Sequence, residues 1–528
     1  MAGLTVMMNK TLSTQVLIIG GGATGAGLAR DLALRGIACI LVEKQDINAG
    51  ASGGNHGLLH SGARYISSDP AAARECRDEG ALIKRLAPQC VENTGGLFVA
   101  VKGDDERYIA DFTDRCAGCG IAAAVVDPRE ALEMEPCLSP HTIAAFAVED
   151  ASVDPFKLSL DNLAQAGRLG TCLLLHHKVV GFDKHAGCIE TVRLSALRNG
   201  NDVRVHADQI VNASGAWAGE VAAMAGACIR MVYSQGSLII SQARIGQRVI
   251  NRLRQPADAD ILVPAGTVSI FGTTSKRIDS PDKCRPTVAE IDSMIRDGME
   301  MVPKLADTRF IRAYAGIRPL VRSGSGSEDR AVSRGYSLLG HEEDGLVNFI
   351  TITGGKLTTY RLMAEKTADL VCQRLGNTVP CRTAEDPLPA SSEARFTEPG
   401  LTPKMWFKKK DPSDLLLCEC EMVPTSVFNE IAATLATAGH RPGLREMGQR
   451  SRVGKGPCQG SFCSLRMAAH MYNEGMLKES EGVDELKDFL NERWRGMQPL
   501  LWGPAVSQAE LQEALHCGLL GLDVSESV

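Results

Sequence analysis

Three absences narrow what this chain can do. No apolar run in the 528 residues comes near the roughly 18 that a membrane-spanning helix needs. Basic residues are not in excess, because 57 Lys and Arg stand against 63 Asp and Glu, and the net charge of -6 argues against nucleic acid as a partner. The opening segment MAGLTVMMNKTLST lacks the basic and apolar regions of a secretion signal. We therefore expect any membrane association to be peripheral.

The cysteines also lack the regular spacing of a disulfide scaffold. Seventeen of them are scattered along the chain, which is typical of a reducing compartment, so we expect a cytoplasmic protein. With 44% hydrophobic residues, a chain of this length can bury more than one core. The composition predicts a globular protein of about two to four domains.

A glycine-rich turn near the N-terminus indicates a dinucleotide site. The segment QVLIIGGGATGAGLARDLALRGIACILVEK reads as strand, turn, helix and second strand. Gly20, Gly22 and Gly25 match G-x-G-x-x-G, in which glycines make the turn and admit a pyrophosphate to the helix N-terminus. Glu43 ends the second strand, where a carboxylate accepts hydrogen bonds from an adenosine ribose. The alternative is a glycine-rich turn that binds no ligand.

Three later segments favour FAD over NAD. Residues 50–65, GASGGNHGLLHSGARY, form a small-residue loop that would follow an extended cofactor. QIVNASGAWA, at 209–218, reads as a strand that joins the nucleotide sheet, and LVNFITITGGKLTTYRLMAEKTADLV reads as strand, glycine turn and helix. That helix would direct backbone N–H groups at the flavin pyrimidine. The predicted cofactor-binding residues are Gly20, Gly22, Gly25, Glu43, Ser52, His56, Gly57, Gly215, Gly354, Gly355, Lys356 and Leu357.

These segments carry a resemblance to a known family. Together with YAGIRPL at 314–320 and VSRGY at 332–336, they resemble the FAD-dependent glycerol-3-phosphate dehydrogenases from about Gln15 to Cys372. The resemblance implies an α/β fold with a Rossmann-like FAD-binding domain of the glutathione-reductase-2, or D-amino-acid-oxidase-like, type. It also implies an α+β substrate domain.

Four cysteines near the C-terminus suggest a second redox centre. Cys418 and Cys420 form Cys-x-Cys, and Cys458 and Cys463 form Cys-x4-Cys. Four thiolates at this spacing can hold one [2Fe–2S] cluster, whereas structural zinc sites favour Cys-x2-Cys pairs; zinc and unliganded thiols remain the alternatives. The segment from about Leu415 to Tyr472 resembles the bacterioferritin-associated-ferredoxin module, which implies a small helical [2Fe–2S] module.

The whole chain, with its tail NERWRGMQPLLWGP, resembles the A subunits of the quinone-linked branch of this dehydrogenase family. That resemblance implies B and C partner subunits and quinone as the ultimate electron acceptor. It also implies a position on the inner face of the cell membrane, held there through the partners.

The substrate would be a phosphorylated alcohol, which requires cations for the phosphate and for the reacting oxygen. Arg64 and Arg334 are our predicted phosphate ligands, and Arg318 and Lys356 are the predicted contacts of the reacting oxygen. Tyr65 and Thr358 complete the predicted substrate site. By resemblance these positions match the family's ARY, SR-aromatic, IRP and GGK motifs. Taken singly, each arginine is more often a solvated surface charge.

The proton acceptor is less well defined. His56 and His60 are candidates because imidazole titrates near neutrality, and we assign His60 to catalysis with Arg318 and Lys356. A structural role is the alternative for both histidines. Related enzymes often carry a histidine after Gly-Ser in the sheet domain, where this chain has Leu238.

The motifs predict a discontinuous organisation. The FAD-binding domain would comprise residues 12–80, 150–225 and 311–380, and the substrate domain 81–149 and 226–310. A linker at 381–412 would precede the [2Fe–2S] module at 413–475. Residues 476–528 would form a helical tail that packs on the chain or meets a partner.

The motifs together with the resemblance therefore imply an enzyme that oxidises sn-glycerol 3-phosphate to dihydroxyacetone phosphate with FAD. Electrons would then pass through the [2Fe–2S] cluster to partner subunits and quinone. One alternative is an amine or amino-acid oxidase of the same fold, which needs a carboxylate clamp but no phosphate site. Another is a noncatalytic electron-transfer subunit.

Overall fold

The computed structural model describes residues 10–198, 200–321 and 335–522. Its strands, in chain order, are β1 (Lys10–Ile19), β2 (Cys39–Val42), β3 (Leu58–Leu59), β4 (Val91–Glu92), β5 (Gly96–Val101), β6 (Ala124–Val126), β7 (Thr142–Val148), β8 (Ala151–Val153), β9 (Cys172–Leu174), β10 (His177–His185), β11 (Cys188–Ala196), β12 (Asp202–Asn212), β13 (Met231–Ser241), β14 (Val249–Arg252), β15 (Ile261–Ala265), β16 (Val268–Gly272), β17 (Lys276–Ile278), β18 (Phe310–Val321), β19 (Tyr336–His341), β20 (Leu346–Gly354), β21 (Leu416–Cys418) and β22 (Val423–Pro424).

The α-helices are α1 (Ala23–Leu34), α2 (Pro70–Leu86), α3 (Glu106–Ala110), α4 (Phe112–Gly118), α5 (Pro128–Met134), α6 (Pro155–Arg168), α7 (Ala218–Ala225), α8 (Val288–Gly298), α9 (Tyr360–Leu375), α10 (Leu401–Lys409), α11 (Thr425–Thr437), α12 (Leu444–Arg450), α13 (Cys463–Asn473), α14 (Glu481–Met497) and α15 (Pro504–Glu513).

The first sheet is the dinucleotide-type sheet. Its parallel part runs in the order β9, β2, β1, β12 and β20, and the antiparallel strands β10, β11 and β19 extend it. Helices α1, α6 and α9 contribute to one core cluster against the sheet, while α7 and apolar residues of β10 and β11 contribute to another. The strands β1 and β2 end in fully buried runs, as parallel strands covered on both faces require. The predicted α/β class is confirmed.

The second sheet is mostly antiparallel and follows the order β17, β13, β16, β15, β14, β5, β7 and β6, with β18 paired to β13. The segments VYSQGSLIIS, ADILVPA and TVSIFGTTS, which are rich in β-branched and apolar residues, contribute β13, β15 and β16. Helix α8 and residues of the 3-10 turn Pro303–Asp307 pack against this sheet in a third core.

The predicted boundary at residue 311 assigns β18 to the FAD-binding domain, but the structure places this strand in the second sheet. It pairs with β13 along nearly its whole length, from Met231 opposite Val321 to Ser241 opposite Phe310. These residues therefore belong to the second sheet and not to the nucleotide sheet. The boundary at 80/81 likewise falls inside α2. The predicted boundaries differ from the observed ones because the sequence of a strand shows which residues alternate between its faces but not which strand it pairs with.

The C-terminal part is helical and packs on both sheets. A β21–β22 hairpin and helices α11 to α14 share one core. Residues 381–412 were predicted as a linker, yet Ala394 is buried in the core beside α1 and Phe396 in the C-terminal core, and α10 lies within the segment. Helix α14 touches β18 so closely that a Cβ on Gly496 would come 2.9 Å from the Ala313 carbonyl oxygen. The C-terminal module, which includes α14 because that helix shares its core, is thus packed against the second sheet.

No helix in the described part of the chain is both long and apolar enough to cross a bilayer.

Candidate functional site

The glycine turn between β1 and α1 is built by close backbone contacts. Gly20 has a φ of +118°, and a Cβ there would come 2.5 Å from the carbonyl oxygen of Ala213. A Cβ on Gly25 would come 2.0 Å from the carbonyl oxygen of Gly20. Only glycine fits both positions, which lets α1 begin directly behind the turn.

Two side chains hold the turn in place. Glu43 accepts hydrogen bonds from the backbone N–H of Gly21 at 2.8 Å and of Gln45 at 2.9 Å. Ser52 Oγ accepts the N–H of Ala23 at 2.9 Å, at the N-terminus of α1. The predicted residues Glu43 and Ser52 are therefore placed at the turn, where a nucleotide would meet the helix N-terminus.

A cavity of about 220 Å³ opens where this turn, the loop 50–65, β18 and the β20–α9 turn meet. It gathers side chains from segments far apart in sequence. The predicted site residues that line it are Ser52, His56, His60, Arg64, Tyr65, Arg318, Gly354, Gly355, Lys356, Leu357 and Thr358.

The glycines of the β20–α9 turn take left-handed backbone angles, with φ of +84° at Gly354 and +68° at Gly355. A 3-10 turn at Leu357–Thr359 then leads into α9, so the predicted strand, turn and helix are confirmed, with α9 itself beginning at Tyr360. The turn presents the Lys356 side chain to the cavity.

Arg64 is held by a buried carboxylate. Its Nη2 donates to Asp260 Oδ2 at 3.1 Å and to the Ala257 carbonyl at 3.2 Å. Asp260 is fully buried and also receives Arg254 Nε at 2.9 Å and the Ala257 N–H at 2.6 Å. Asp260 therefore fixes the direction in which the Arg64 guanidinium faces the cavity.

Arg318 reaches the cavity from β18. Its Nη1 donates to the Thr274 carbonyl at 3.1 Å, and its Nη2 is hydrogen-bonded to the Thr273 hydroxyl. A Cβ on the neighbouring Gly236 would come 2.7 Å from Arg318 Nη2. This explains why the position before Ser237 and Leu238 carries no side chain, since the guanidinium occupies that space.

Tyr65 connects the cation and the histidine of the site. The Lys356 Nζ lies 4.6 Å from the centre of the Tyr65 ring, within cation–π range. The Tyr65 hydroxyl is 3.4 Å from His60 Nε2. Thr358, almost fully buried, accepts the backbone N–H of His60 at 3.3 Å. The four predicted residues thus form one contiguous cluster.

His56, the second candidate histidine, has a strongly lowered pKa. Burial, together with the positive charges of Arg318 and Arg64, lowers its pKa to about 3. Its Nδ1 accepts the N–H of Leu58 at 3.3 Å, which places the remaining proton on Nε2. His56 is therefore neutral at ordinary pH and can donate a hydrogen bond but cannot act as an efficient base.

The remaining predicted residues lie outside the lining of this cavity. Gly57, with φ of +66°, is required by the 2.6 Å approach that a Cβ would make to the Val153 carbonyl. The Gly215 carbonyl accepts the Thr353 hydroxyl at 3.1 Å beside the nucleotide turn. Gly22 lies against Ser52. Arg334 falls outside the described residues.

Sequence reasoning missed residues that support the site from a distance. Asp260 holds Arg64 across 196 positions, and no spacing in the sequence joins the two. Asp150, buried beneath the loop, accepts the Ser61 N–H at 2.7 Å and Asn251 Nδ2 at 3.0 Å. Burial raises the pKa of the Asp150 carboxyl. These carboxylates could be found only once the fold had brought them to the loop.

The four predicted cluster cysteines form two pairs across the two motifs. Cys418 is hydrogen-bonded to Cys463, which lowers its pKa to about 7, and burial with the nearby Cys458 raises the pKa of Cys420 to about 12. A Cβ on Gly456 would come 2.6 Å from Cys420 Cβ, so the loop passes closely over that cysteine. In the described ranges no three Cys, His, Asp or Glu side chains surround a single ion site.

Comparison with known proteins defines the class. Residues 15–370 match the model of the FAD dependent oxidoreductase family. The chain belongs to this FAD-dependent oxidoreductase family, as the glycine turn and the cavity indicate.

The relationship extends to a particular branch. The chain is 44% identical to the A subunit of the anaerobic glycerol-3-phosphate dehydrogenase of Escherichia coli K12, over 97% of each chain. The counterpart from Haemophilus influenzae is 41% identical over 97% of this chain and 94% of its own. The chain therefore belongs to the family formed by the A subunits of the anaerobic glycerol-3-phosphate dehydrogenases.

A solved structure agrees on the fold. The glycerol-3-phosphate dehydrogenase from Bacillus halodurans complexed with FAD superposes with a TM-score of 0.64 at 22% identity, covering 93% of this chain and 96% of that one. At this identity the likeness supports the fold alone.

Proposed function

We propose that the chain oxidises sn-glycerol 3-phosphate to dihydroxyacetone phosphate with bound FAD. One observation carries this proposal: Arg64, Arg318 and Lys356, from three separate segments, line one cavity next to the glycine turns of a FAD-dependent fold. Three cations around a small cavity suit a phosphate dianion and a developing alkoxide. A carboxylate substrate would need fewer positive charges.

The chain's residues divide the work. We assign Arg64, oriented by Asp260, and Arg334 to the phosphate. Arg318 and Lys356 are assigned to the C2 oxygen, and Thr358 keeps the loop of His60 in place. His60 is the proposed acceptor of the hydroxyl proton, since it lines the cavity, whereas the low pKa of His56 makes that imidazole a weak base. FAD, when bound, supplies the acceptor for the hydride from C2.

The proposed domain division follows the sheets. The first sheet would hold FAD, and the second sheet, including β18, would cover the substrate.

The C-terminal cysteines fit a [2Fe–2S] cluster, and we propose that they hold one. In such a cluster each iron takes two thiolates and two sulfides, so two close cysteine pairs suffice. A structural zinc ion would instead need all four thiolates around one point. The cluster would supply one-electron chemistry, and because Cys420 is exposed, the proposed cluster would lie near the surface. Partner B and C subunits and quinone are the proposed acceptors.

Anaerobic titration tests the proposal. Adding glycerol 3-phosphate to the purified, FAD-loaded chain should bleach the flavin absorbance, whereas glycerol and glycine should not. Iron and acid-labile sulfide should each approach two per chain. Flavin reduction by glycine at the same rate would favour the amino-acid oxidase alternative. Stoichiometric zinc without sulfide would rule out the cluster.

A further inference from the structure

A second, larger cavity lies between the catalytic part of the chain and the C-terminal module. Its volume is about 690 Å³, within the range of sites for small ligands and cofactors. Asn55 and His56 border it as well as the first cavity, and on the opposite side it is lined by residues of α12, α14 and the loop 452–459. Gly54, which lines both cavities, is in close backbone contact with Gly316, since a Cβ on Gly316 would come 1.9 Å from the Gly54 oxygen.

Positive charge prevails along its lining. The cations are Lys157, Arg312, Arg445, Arg452, Lys455 and Arg493, and the carboxylates are Glu92, Asp154, Glu398 and Glu492. Several of these are already paired with one another or with neighbours: Arg312 with Glu492, Arg452 with Glu421, and Arg244 with Glu92.

Within the described part of the chain Lys455 has no such pair, and Arg493 shares Glu492 with Arg312. Lys455 Nζ donates to the Gln449 carbonyl at 3.1 Å, and it forms no ion pair with a carboxylate of the described residues. Arg493 lies over the Phe489 ring at 5.0 Å, and its nearest carboxylate contact is Glu492 at 3.5 Å. Burial and neighbouring arginines lower the pKa of Lys455 to about 7 and that of Arg493 to about 10. An anion between them would relieve this crowding of charge.

Polar atoms without partners lie at the same place. Gln459 is 2% exposed, and its Oε1 has no hydrogen-bond partner; Gln449 Oε1 and Arg493 Nε are also buried without one. All three residues line the cavity. A buried unsatisfied polar atom costs about 1 to 3 kcal/mol, so this group of atoms needs hydrogen-bond partners, which a bound ligand or water would supply.

We propose that this cavity binds a small ligand that carries a phosphate group and at least one hydroxyl. The phosphate would lie between Lys455 and Arg493, and the hydroxyl would donate to Gln459 Oε1. The site is separate from the proposed substrate site and does not depend on the reaction assigned to it. Because Asn55 and His56 border both cavities, a ligand bound in this site would contact the loop 50–65, which also lines the proposed substrate site.

Calorimetry on the full-length, FAD-loaded chain tests the proposal, with inorganic phosphate and AMP as probes. Both should bind, AMP more tightly because only AMP brings ribose hydroxyls. Lys455→Met should weaken binding about tenfold, the value of one charge-assisted contact, and Lys455→Arg should restore it. Lys404→Met, on the exposed face of α10, should bind like the parent chain. Absence of binding up to about 10 mM of either probe would overturn the proposal.

A direct measurement guards against a misfolded variant. Crystals of the parent chain soaked in tungstate should show an anomalous peak within reach of Lys455 and Arg493. A peak confined to the cavity around Arg64 and Arg318 would place the anion in the substrate site alone and would refute a second site.

Discussion

Arg450 and Asp46 form a buried bidentate ion pair between the C-terminal module and the nucleotide-binding unit. Arg450 Nη1 lies 2.5 Å from Asp46 Oδ2, and Nη2 lies 3.0 Å from Oδ1. The two side chains are 3% and 1% exposed. Asp46 follows the segment that carries Glu43, so the module is fixed directly behind the nucleotide turn.

Removing one partner of this pair should be costly. Arg450→Met would leave the Asp46 carboxylate buried without its cation, and we expect a loss of about 3 to 5 kcal/mol in stability. The double variant with Asp46→Leu should recover most of it. Arg441→Met, which breaks the exposed pair with Glu481, is the matched control and should lower the thermal midpoint much less. Equal losses of stability in Arg450→Met and Arg441→Met would show that the buried ion pair contributes no more to stability than the exposed one.

The same interface predicts a pH dependence. Burial would raise the pKa of Glu446, but His176 at 3.0 Å and Arg198 at 2.8 Å outweigh it and hold the value at about 2. Its folded pKa is below the unfolded value of about 4.3, so its stabilisation is present above that pH and is lost as pH falls toward 2. Urea unfolding of Glu446→Gln should therefore show a smaller decline of stability below pH 5 than the parent chain. Glu513→Gln, an exposed carboxylate on α15, should leave the decline unchanged.

Asp260 should act through Arg64. Asp260→Asn keeps the shape but removes the charge that orients the guanidinium, so we expect KM for glycerol 3-phosphate to rise about tenfold with a smaller change in kcat. Steady-state kinetics with an artificial electron acceptor provides the measurement. Asp292→Asn, on the exposed face of α8, is the control. A fall in kcat alone, with KM unchanged, would contradict a positioning role at the phosphate.

The two histidines should differ in their kinetic effect. His60→Gln removes the proposed proton acceptor and should lower kcat by a factor of about 100 or more, with loss of the acidic limb of the pH profile. His56→Gln retains a hydrogen-bond donor, and because His56 is neutral down to about pH 3, the acidic limb should stay where it is. A shift of that limb in His56→Gln would reverse the two assignments.

Local signals predicted much of this molecule. The glycine fingerprint, the strands β13, β15 and β16 and the β20–α9 turn follow from periodicity and turn chemistry within short segments. What the sequence could not reveal are pairings over long separations. Arg450 and Asp46 are 404 positions apart, Asp260 and Arg64 are 196 apart, and β18 could have joined either sheet. The packed segment 381–412 was missed because its few buried residues are spread among polar ones.

The last prediction concerns the route by which electrons leave. Deleting the C-terminal module would expose the surface of β18 that α14 covers and would leave Asp46 without Arg450. A truncated chain would therefore lose stability as well as the four cysteines. Cys458→Ser is the cleaner test, because it removes one thiolate next to Cys420 and leaves the packing in place. We expect this variant to bind FAD and to be reduced by glycerol 3-phosphate in a single turnover, yet to pass no electrons to quinone when partner subunits are supplied. Cys517→Ser, outside the proposed cluster, should retain the full rate. Quinone reduction at the parental rate by Cys458→Ser, with its iron lost, would show that electrons do not leave through the cluster.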